Sequence, residues 1–421
     1  PEVSAHAQHI AVYIVGGFVR DLWLNRPSLD FDLVVEGDAI SLAKSLAHIY
    51  GGRVTSHARF GTAKWRLADS AFEKAIPKEP VNGADLNLVD LVSARTEFYT
   101  YPTALPTVER GSIKLDLHRR DFTINTLALR LDGRHFGELH DYWGGLNDLR
   151  LGLVRVLHSL SFVDDPTRML RAVRFEQRFG FQIEERTLHL LKEATSLINR
   201  VSGDRIRHEL NHILSDPRAA QILARLDALE LLAAIHPALT WDAWLEEALS
   251  RRPDEKPGAD WNLESQVSIL ELRRQLAYIL WIIRLPPHLA YQICERLKLP
   301  IELKRSIQAG IGLWNDLPEL VSRSASQAAL RLEETPALAR YAAYLASQSA
   351  AEQDLLIAYT QRWQNLSPRT TGDNLRKRGI APGPLYKTIL NRLRAAWLDG
   401  EISSLPEELA LLDRLLSELK S

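Results

Sequence analysis

The stretch that decides the fold runs from Ala11 to Asp21 and has the sequence Ala-Val-Tyr-Ile-Val-Gly-Gly-Phe-Val-Arg-Asp. Its first five residues are apolar and rich in β-branched side chains, which predicts a buried strand that ends at Gly16-Gly17. The pattern from Val19 to Leu24 predicts a helix. Because the first N–H groups of a helix lack partners within the helix, a glycine-rich turn before a helix can bind an anion. Gly16 and Gly17 are therefore candidate phosphate-binding residues, although an ordinary tight turn also explains two adjacent glycines.

Two carboxylates follow in the next predicted strand, residues 30–35. Asp30 and Asp32 are two positions apart, so their side chains point to the same side of that strand. Two carboxylates beside a phosphate-binding turn can hold divalent cations against a nucleoside triphosphate. The alternative is one helix-capping aspartate and one solvated aspartate. Asp90, in the apolar strand from Val89 to Val92, is either a third carboxylate of the site or a surface residue.

A further polar group is embedded in an apolar segment. Arg119-Arg120-Asp121 is followed by Phe122, Ile124 and Asn125. Arginine guanidinium groups suit triphosphate oxygens, and an aspartate can accept a hydrogen bond from a sugar hydroxyl. A basic pair on the surface is the alternative, but the apolar neighbours predict burial, and a buried arginine needs an anion.

From about residue 150, apolar residues recur at three- and four-residue spacing, which predicts a series of helices. The first of them starts beside Asp165 and Pro166, and Arg168, Arg171 and Arg174 recur along it every three residues. Asp165 and Arg168 therefore lie near each other at one helix end. An N-cap with an ordinary salt bridge is the alternative to a binding role for this pair.

Two other segments differ from their surroundings. The stretch that opens at Arg95 is rich in Tyr, Thr and Pro and has no helical or strand period, which predicts a long loop beside the candidate site. Residues 372–400 are dense in basic side chains on short predicted helices. They include Arg376, Lys377, Arg378 and Lys387. Such a segment is typical of a surface that contacts a nucleic-acid backbone, and a solvated helix face explains the composition equally well.

The composition is that of an ordinary globular protein. The 421 residues predict two to four domains. Their net charge of −1 means that any nucleic-acid binding must come from local basic patches. The single cysteine, Cys294, excludes a disulfide framework and fits a reducing cytosol, so we expect a cytoplasmic protein. No apolar run reaches membrane-spanning length, and the start without Met leads us to expect a trimmed N-terminus.

Taken together, the motifs resemble those of the class II tRNA nucleotidyltransferases, the superfamily of CCA-adding enzymes and bacterial poly(A) polymerases. The resemblance is nearly collinear over residues 12–240 and weaker over residues 367–405. Five segments carry it, in order: Gly16–Asp21 with Asp30–Asp32, Arg119–Asn125, Asp141–Leu149, Asp164–Arg171 and Ser202–Glu209. The fourth usually begins Glu-Asp and here begins with Asp164; the fifth usually has Glu where this chain has Asp204.

The resemblance implies an α+β protein, with a small mixed-sheet nucleotidyltransferase head followed by an all-α neck, body and tail. We place the head at residues 1–137, the neck at 138–250, the body at 251–366 and the tail at 367–421. The implied activity is template-independent addition of nucleotides to the 3′ end of tRNA, whose acceptor arm and elbow would be the partner surface. The candidates for tRNA binding are Arg205, Arg207, Arg376, Lys377, Arg378 and Lys387.

The resemblance also implies a role for each motif. Asp30 and Asp32 would hold two Mg²⁺ ions in a two-metal mechanism, with Asp90 as the candidate third ligand. Asp121, positioned by Arg120, would select a ribonucleotide through its 2′-hydroxyl. The implied nucleotide-binding residues are Gly16, Gly17, Arg20, Arg119, Arg120, Asp121, Asn125, Asp165, Arg168, Arg171 and Arg174.

Asp165 and Arg168 would read the edge of the incoming base. Adenine and cytosine both present an amino donor beside a ring-nitrogen acceptor, so this pair suits ATP and CTP alike and rejects U and G. The choice between them would lie in the loop around residues 95–118 and in how the neck reorients.

Residues 101–109, 156–162 and 174–181 look most like the A-adding branch, so addition of the terminal A to tRNA ending in CC is the first hypothesis. CC addition or complete CCA addition is the close alternative. The basic tail argues against a poly(A) polymerase, and the intact motifs argue against an inactive RNA-binding module.

Overall fold

A computed structural model describes residues 10–26, 31–67, 88–98, 107–263 and 267–418. The chain forms two compact units, the first from residues 1–201 with 228–234 and the second from residues 202–227 with 235–421. Asp30 lies outside the described residues, as do residues 99–106 of the predicted loop. None of the helices described is both long and apolar enough to cross a lipid bilayer.

The strands of the described chain lie in the first unit. They are β1 (Ala11–Val15), β2 (Asp32–Glu36), β3 (Arg53–His57), β4 (Thr62–Arg66), β5 (Leu88–Ser93), β6 (Arg95–Phe98), β7 (Thr107–Arg110), β8 (Ala128–Arg130), β9 (Leu139–His140), β10 (Leu153–Val154) and β11 (Gln182–Ile183). Seven of them form one sheet in the order β3-β4-β5-β2-β1-β8-β9. β2 and β5 run parallel and the other neighbours run antiparallel, which confirms the predicted mixed sheet.

Short helices connect these strands, and longer ones follow them. They are α1 (Gly17–Trp23), α2 (Ala39–Tyr50), α3 (Ile113–His118), α4 (Gly145–Leu151), α5 (Ser161–Asp164), α6 (Thr167–Phe179), α7 (Glu185–Ala194), α8 (Gly203–Ser215), α9 (Ala219–Ala228) and α10 (Leu231–Ile235). α2 begins where the Asp38 carboxylate accepts hydrogen bonds from the N–H groups of Ile40 and Ser41. It ends before Gly51, whose φ is +78°.

The two faces of the large sheet are covered by different helices. On one face, Tyr13 and Val34 pack with Leu117 of α3. On the other face, Val35 packs with Leu42 of α2. Side chains alternate along a strand, so Asp32, two residues before Val34, lies on the face that α3 covers. The residues that follow α3 are thereby brought to the same side of the sheet as Asp32.

The described residues of the second unit form helices joined by loops. Its remaining helices are α11 (Ala243–Ser250), α12 (Ile269–Ile282), α13 (Pro287–Arg296), α14 (Ile301–Leu320), α15 (Ala325–Glu333), α16 (Ala337–Ala346), α17 (Ala350–Ala358), α18 (Gly372–Lys377), α19 (Pro384–Leu398) and α20 (Leu405–Glu418). α12 is central, because every residue from Leu276 to Ile282 is buried and the helix packs against α8, α14 and α16. α14 continues through Pro318 to Leu320.

The structure differs from the sequence predictions in two places. The segment from Arg95 to His118 is not one long loop, because β6 and β7 form an antiparallel pair and α3 follows. β6 and β7 are only four residues long, and backbone hydrogen bonds hold them together. Their side chains therefore do not alternate between apolar and polar, and the sequence shows no strand pattern. The region after residue 150 is not wholly helical either, since β10 and β11 form a short parallel ladder.

Candidate active site

The turn after β1 has the backbone geometry that the glycine pair predicts. Gly16 has φ +68° and ψ −120°, a conformation that residues with a Cβ rarely adopt. Its N–H donates to the carbonyl of Leu127 at 2.9 Å, which fastens the turn to the segment before β8. A side chain at this position would also collide with the guanidinium of Arg120. Gly16 therefore lets Arg120 lie directly against the turn, at the end where Gly17 begins α1.

Asp32 begins β2 and lies opposite Asp90 in the parallel pair of β2 and β5. Residues opposite each other on adjacent strands point to the same face, so the two carboxylates share the face that α3 covers. Asp90 also lies opposite Lys64 of β4, whose Nζ is 3.3 Å from the Asp90 carboxylate. Carboxylate oxygens are the ligands that Mg²⁺ prefers, so the donor chemistry fits that ion. The roles of Asp32 and Asp90 as ligands stay predictions, and for Asp90 the ion pair with Lys64 is a competing role.

The adjacent arginines of the second motif share one buried carboxylate, Asp116 of α3. Arg119 donates to it through Nε and Nη2 at 3.1 and 2.8 Å, and Arg120 Nη2 donates at 3.3 Å. The Asp116 side chain is completely buried. Burial alone would raise its pKa, but the charges of Arg120 and Arg119 outweigh burial and hold the pKa below its usual value. The anion that these arginines were expected to need is therefore supplied within the protein.

Asp121 is held by Arg171 of α6, which donates to Asp121 Oδ2 through Nε and Nη2 at 2.8 and 2.5 Å. Burial would raise the Asp121 pKa. The charge of Arg171 and a hydrogen bond from Asn125 outweigh it, so the pKa lies far below its usual range and the carboxylate is ionised. Arg120 donates to Asp116, and the positioning of Asp121 by Arg120 stays a prediction.

Asn125 extends this pair into a buried chain of hydrogen bonds. Its Nδ2 donates to Asp121 Oδ1 at 2.9 Å, and its Oδ1 accepts from Arg20 Nη1 at 2.6 Å. The chain therefore runs from Arg20 on α1 through Asn125 and Asp121 to Arg171 on α6. It ties the phosphate turn, the second motif and the first long helix into one arrangement.

Arg20 was expected to contact phosphate, and its placement gives it another role. It is 7% exposed, pairs with Asp21 at 2.8 Å and lies 4.7 Å from the centroid of the Phe179 ring. Burial lowers its pKa, and the Asp21 charge opposes that effect. With Asn125 as a further partner, Arg20 supports the wall of the site, so the structure does not favour the predicted phosphate contact.

Asp165 and Arg168 lie together at the start of α6, as the sequence predicts. Asp165 Oδ1 accepts from the N–H and the hydroxyl of Thr167 at 3.0 and 2.6 Å. Arg168 is 6% exposed and donates to Ser161 Oγ at 2.7 Å and to the carbonyl of Arg119 at 2.8 Å. Arg168 therefore connects α6 directly to the arginine pair of the second motif.

Comparison with known proteins agrees with this arrangement. Residues 12–155 match the family model described as poly A polymerase head domain, and residues 180–242 match the one described as probable RNA and SrmB-binding site of polymerase A. The chain is 32% identical over 397 residues to the A-adding tRNA nucleotidyltransferase of Halalkalibacterium halodurans, and the match covers 93% of this chain and 86% of that protein. The chain belongs to the tRNA nucleotidyltransferase family.

Two further members of the family show how far the likeness extends. The A-adding tRNA nucleotidyltransferase of Geobacter sulfurreducens is 34% identical over 96% of this chain, and the chain spans 45% of that protein's length. The Thermotoga maritima CCA-adding enzyme, solved in complex with tRNA, superposes with a TM-score of 0.74 at 29% identity, over 99% of this chain and 93% of that one. The resemblance found in the motifs therefore extends along the whole chain.

The residues that were predicted to bind tRNA differ in whether other groups of the protein already engage them. Arg207 donates to Asp204 at 2.9 Å and to the carbonyl of Leu297 at 3.2 Å, so it fastens α8 within the second unit. This commitment argues against a phosphate-binding role for Arg207. Arg205, on the same helix, is partly exposed.

The basic side chains of the tail also differ in whether an acidic side chain already pairs with them. Lys377 of α18 and Lys387 of α19 are exposed. Arg376 is exposed and lies 3.5 Å from Asp373, whereas Arg378 is paired with Asp413. The two lysines are therefore the stronger candidates for backbone contacts in the tail.

Other residues that support the site were not singled out from the sequence. Asp116 has a detectable signal, since it precedes the two arginines by three and four positions on a helix. Asp148 accepts from Thr123 Oγ1 at 2.6 Å and from Arg155 Nε at 3.0 Å, which anchors the segment Asp141–Leu149 to the second motif. Thr123 and Asp148 are 25 positions apart, and no local pattern points to their contact.

Proposed function

We propose that this protein adds the terminal adenosine to tRNA ending in CC, using ATP and releasing pyrophosphate. The observation that carries the proposal is the contact between Arg171 and Asp121, which holds the candidate ribose-selecting carboxylate against the helix that begins with Asp165 and Arg168. One unit then contains the parts needed to choose a nucleotide without a template. The identity with two A-adding relatives supports adenosine as the nucleotide.

Metal binding is proposed for the start of β2. Asp32, with Asp30 two residues before it, would hold Mg²⁺, which when bound supplies positive charge to the attacking oxygen and the leaving pyrophosphate. The shared face of Asp32 and Asp90 supports this assignment. Arg120, beside Gly16, would add positive charge next to the triphosphate.

Ribose selection is proposed for Asp121. Because Arg171 and Asn125 keep this carboxylate ionised, it remains an acceptor for a 2′-hydroxyl at neutral pH. A deoxynucleotide lacks that hydroxyl and would leave the acceptor unused, which disfavours it.

Base selection is proposed for Asp165 and Arg168. An acceptor and a donor at the start of α6 match the amino group and ring nitrogen of adenine, and cytosine presents the same pattern. CTP is therefore the competing substrate, and CC addition or CCA addition is the competing activity. The buried position of Arg168 supports a fixed direction for its guanidinium, which base discrimination requires.

The tRNA itself is the proposed partner, held at its acceptor arm and elbow, and the complex of the Thermotoga maritima CCA-adding enzyme with tRNA supports this choice. We retain the proposed head (1–137), neck (138–250), body (251–366) and tail (367–421), with Lys377 and Lys387 on the RNA side. We place the activity in the cytoplasm, since the buried free thiol of Cys294 suits a reducing compartment.

Incorporation assays with defined transcripts test the proposal. Purified protein is incubated with tRNA lacking CC, tRNA ending in CC and tRNA ending in CCA, each with ATP or CTP alone. We expect incorporation of ATP alone, and on the CC transcript alone. Incorporation of CTP on the shortest transcript would favour CC or CCA addition instead. Asp32→Asn should lower turnover on the order of a thousandfold while tRNA binding stays near the wild-type value.

A further inference from the structure

Three aromatic rings lie in contact where α3 ends, and the proposed chemistry uses none of them. The His118 ring contacts Trp143, with centroids 4.6 Å apart, and His158, with centroids 5.7 Å apart. The His118 and His158 planes differ by 25°, so these two rings are stacked, while Trp143 is tilted by 49°. All three side chains are partly exposed. We call Trp143, His118 and His158 the ring column.

The ring column extends from the carboxylate face to the start of α6. Trp143 packs against the core on the sheet face that carries Asp32. His118 directly precedes the arginine pair that begins at Arg119. His158 Nε2 lies 3.9 Å from the carboxylate of Asp164, the residue before the proposed base-reading Asp165. The column therefore lies between the core beneath the Asp32 face and the residue that precedes Asp165.

The charge state of His158 suits stacking. Burial lowers the pKa of His158, and the Asp164 charge opposes that effect without reversing it. The ring is therefore mainly neutral at pH 7 and does not supply a cation for phosphate.

We propose that the ring column is a stacking platform for an unpaired base at the 3′ end of the RNA substrate, with His158 as its outer ring. Unpaired bases bind proteins by stacking on aromatic and histidine rings, and this contact tolerates any base because every base has a π-face. A platform beside the site would hold the last nucleotide so that its 3′-hydroxyl stays near the incoming triphosphate. The inference rests on the proposed function, because it takes tRNA with an unpaired end as the substrate.

Binding of transcripts without nucleotide present tests the platform separately from catalysis. Affinity is measured for tRNA ending in CC and for a shorter transcript whose 3′ strand stops at the last base pair of the acceptor stem, with wild-type protein, His158→Leu and His158→Phe. We expect His158→Leu to weaken binding of the CC transcript by about tenfold, the decrease expected for one stacked base, and to leave the shorter transcript unchanged. His158→Phe keeps a ring and should bind like the wild type. His189→Leu, at an exposed histidine of α7, is the matched control for removal of an imidazole.

The inference is overturned if His158→Leu binds both transcripts as tightly as the wild type does. It is also overturned if His158→Leu weakens binding of both transcripts equally, because that result would mean that the three rings only stabilise the local fold. A second measurement does not depend on a variant. A fluorescent base analogue at the last position of the CC transcript should be quenched on binding to wild-type protein, and an unquenched signal in the saturated complex would also overturn the inference. If ATP is not incorporated but the ring-dependent binding persists, the proposed activity fails and the platform stands. If ATP is incorporated and the ring variants bind both transcripts like the wild type, the proposed activity stands and the platform fails.

Discussion

Arg171 and Asp121 form an ion pair in which two nitrogens of the guanidinium donate to one carboxylate oxygen, at 2.8 and 2.5 Å. Asp121 is 7% exposed, so the carboxylate is almost fully removed from water. The two residues are 50 positions apart, and their contact joins α6 to the segment that follows α3. A buried charge whose single partner is removed is destabilising, because the remaining charge keeps its desolvation cost.

Removal of the Arg171 charge should affect both stability and ribose selection. For Arg171→Gln we expect the free energy of unfolding to fall by about 3 kcal/mol. We also expect the preference for ATP over dATP to decrease, because the Asp121 carboxylate is no longer oriented by the guanidinium. Urea unfolding measures the first effect, and the ratio of kcat/KM for the two nucleotides measures the second. In the double variant with Asp121→Asn, the decreases should be less than additive; strict additivity would show that the two side chains do not interact.

Acid stability should depend on the same carboxylate. The folded-state pKa of Asp121 is depressed, so its ionised form stabilises the fold at pH values above the unfolded pKa of about 3.9. That contribution is lost as the pH falls through the folded-state pKa. The difference in unfolding free energy between wild type and Asp121→Asn should therefore be constant from about pH 5 to 7 and should narrow below about pH 4. A difference that widens toward low pH would contradict the depressed pKa.

The fold could be predicted from the sequence where local patterns are strong. The strand at Ala11–Val15, the glycine turn and the capped helix at Ala39–Tyr50 follow from apolar runs and from capping residues. β6 and β7 could not be predicted from the sequence. Each has only four residues and is held by backbone hydrogen bonds to the other strand, not by a buried apolar face that would show as a pattern.

The sequence identifies individual residues of the candidate site, but it does not identify the hydrogen bonds between them. The motifs identify Asp121 and Arg171, yet no spacing rule shows that they bond to each other across 50 residues. The resemblance implies that Arg120 positions Asp121, whereas the structure shows Arg171 donating to that carboxylate. The α3 residue Asp116 takes Arg120 instead, since residues three and four positions apart on a helix lie on the same face.

A substitution at Gly16 should be far more damaging than one at another glycine with positive φ. Gly16→Ala imposes a backbone conformation that alanine avoids and displaces the Arg120 guanidinium, so we expect a decrease of about 1–3 kcal/mol in unfolding free energy and a large decrease in incorporation. Gly133→Ala is the matched control, because Gly133 has φ +53° and open space around it. It should cost about 1 kcal/mol and leave turnover unchanged. Equal effects of the two substitutions on turnover would exclude the Gly16–Arg120 contact as the cause.

Arg168 should set base choice. Its guanidinium is oriented by Ser161 and by the carbonyl of Arg119, so Arg168→Ala removes a directed donor. We expect the ratio of ATP to other nucleotides incorporated on the CC transcript to fall roughly tenfold or more, as expected when one hydrogen-bonding partner of a base is removed. Ser161→Ala keeps the Arg168 guanidinium but removes one of the two groups that orient it. The ratio of ATP to other nucleotides should therefore fall by less than it does in Arg168→Ala. Unchanged selectivity in Arg168→Ala would refute the base-reading role.

The tail lysines should contribute to tRNA affinity through charge alone. Lys377 and Lys387 are exposed, and the double substitution to Ala should weaken tRNA binding and reduce the slope of log K against log salt by about one unit for each phosphate that is no longer neutralised. Arg392→Ala is the control on the same helix as Lys387, because Arg392 is paired with Glu401 at 2.7 Å and has less charge available for RNA. ATP incorporation at saturating tRNA should be the same in all three proteins. A salt slope that does not change in the lysine variant would place the RNA backbone on another surface of the second unit.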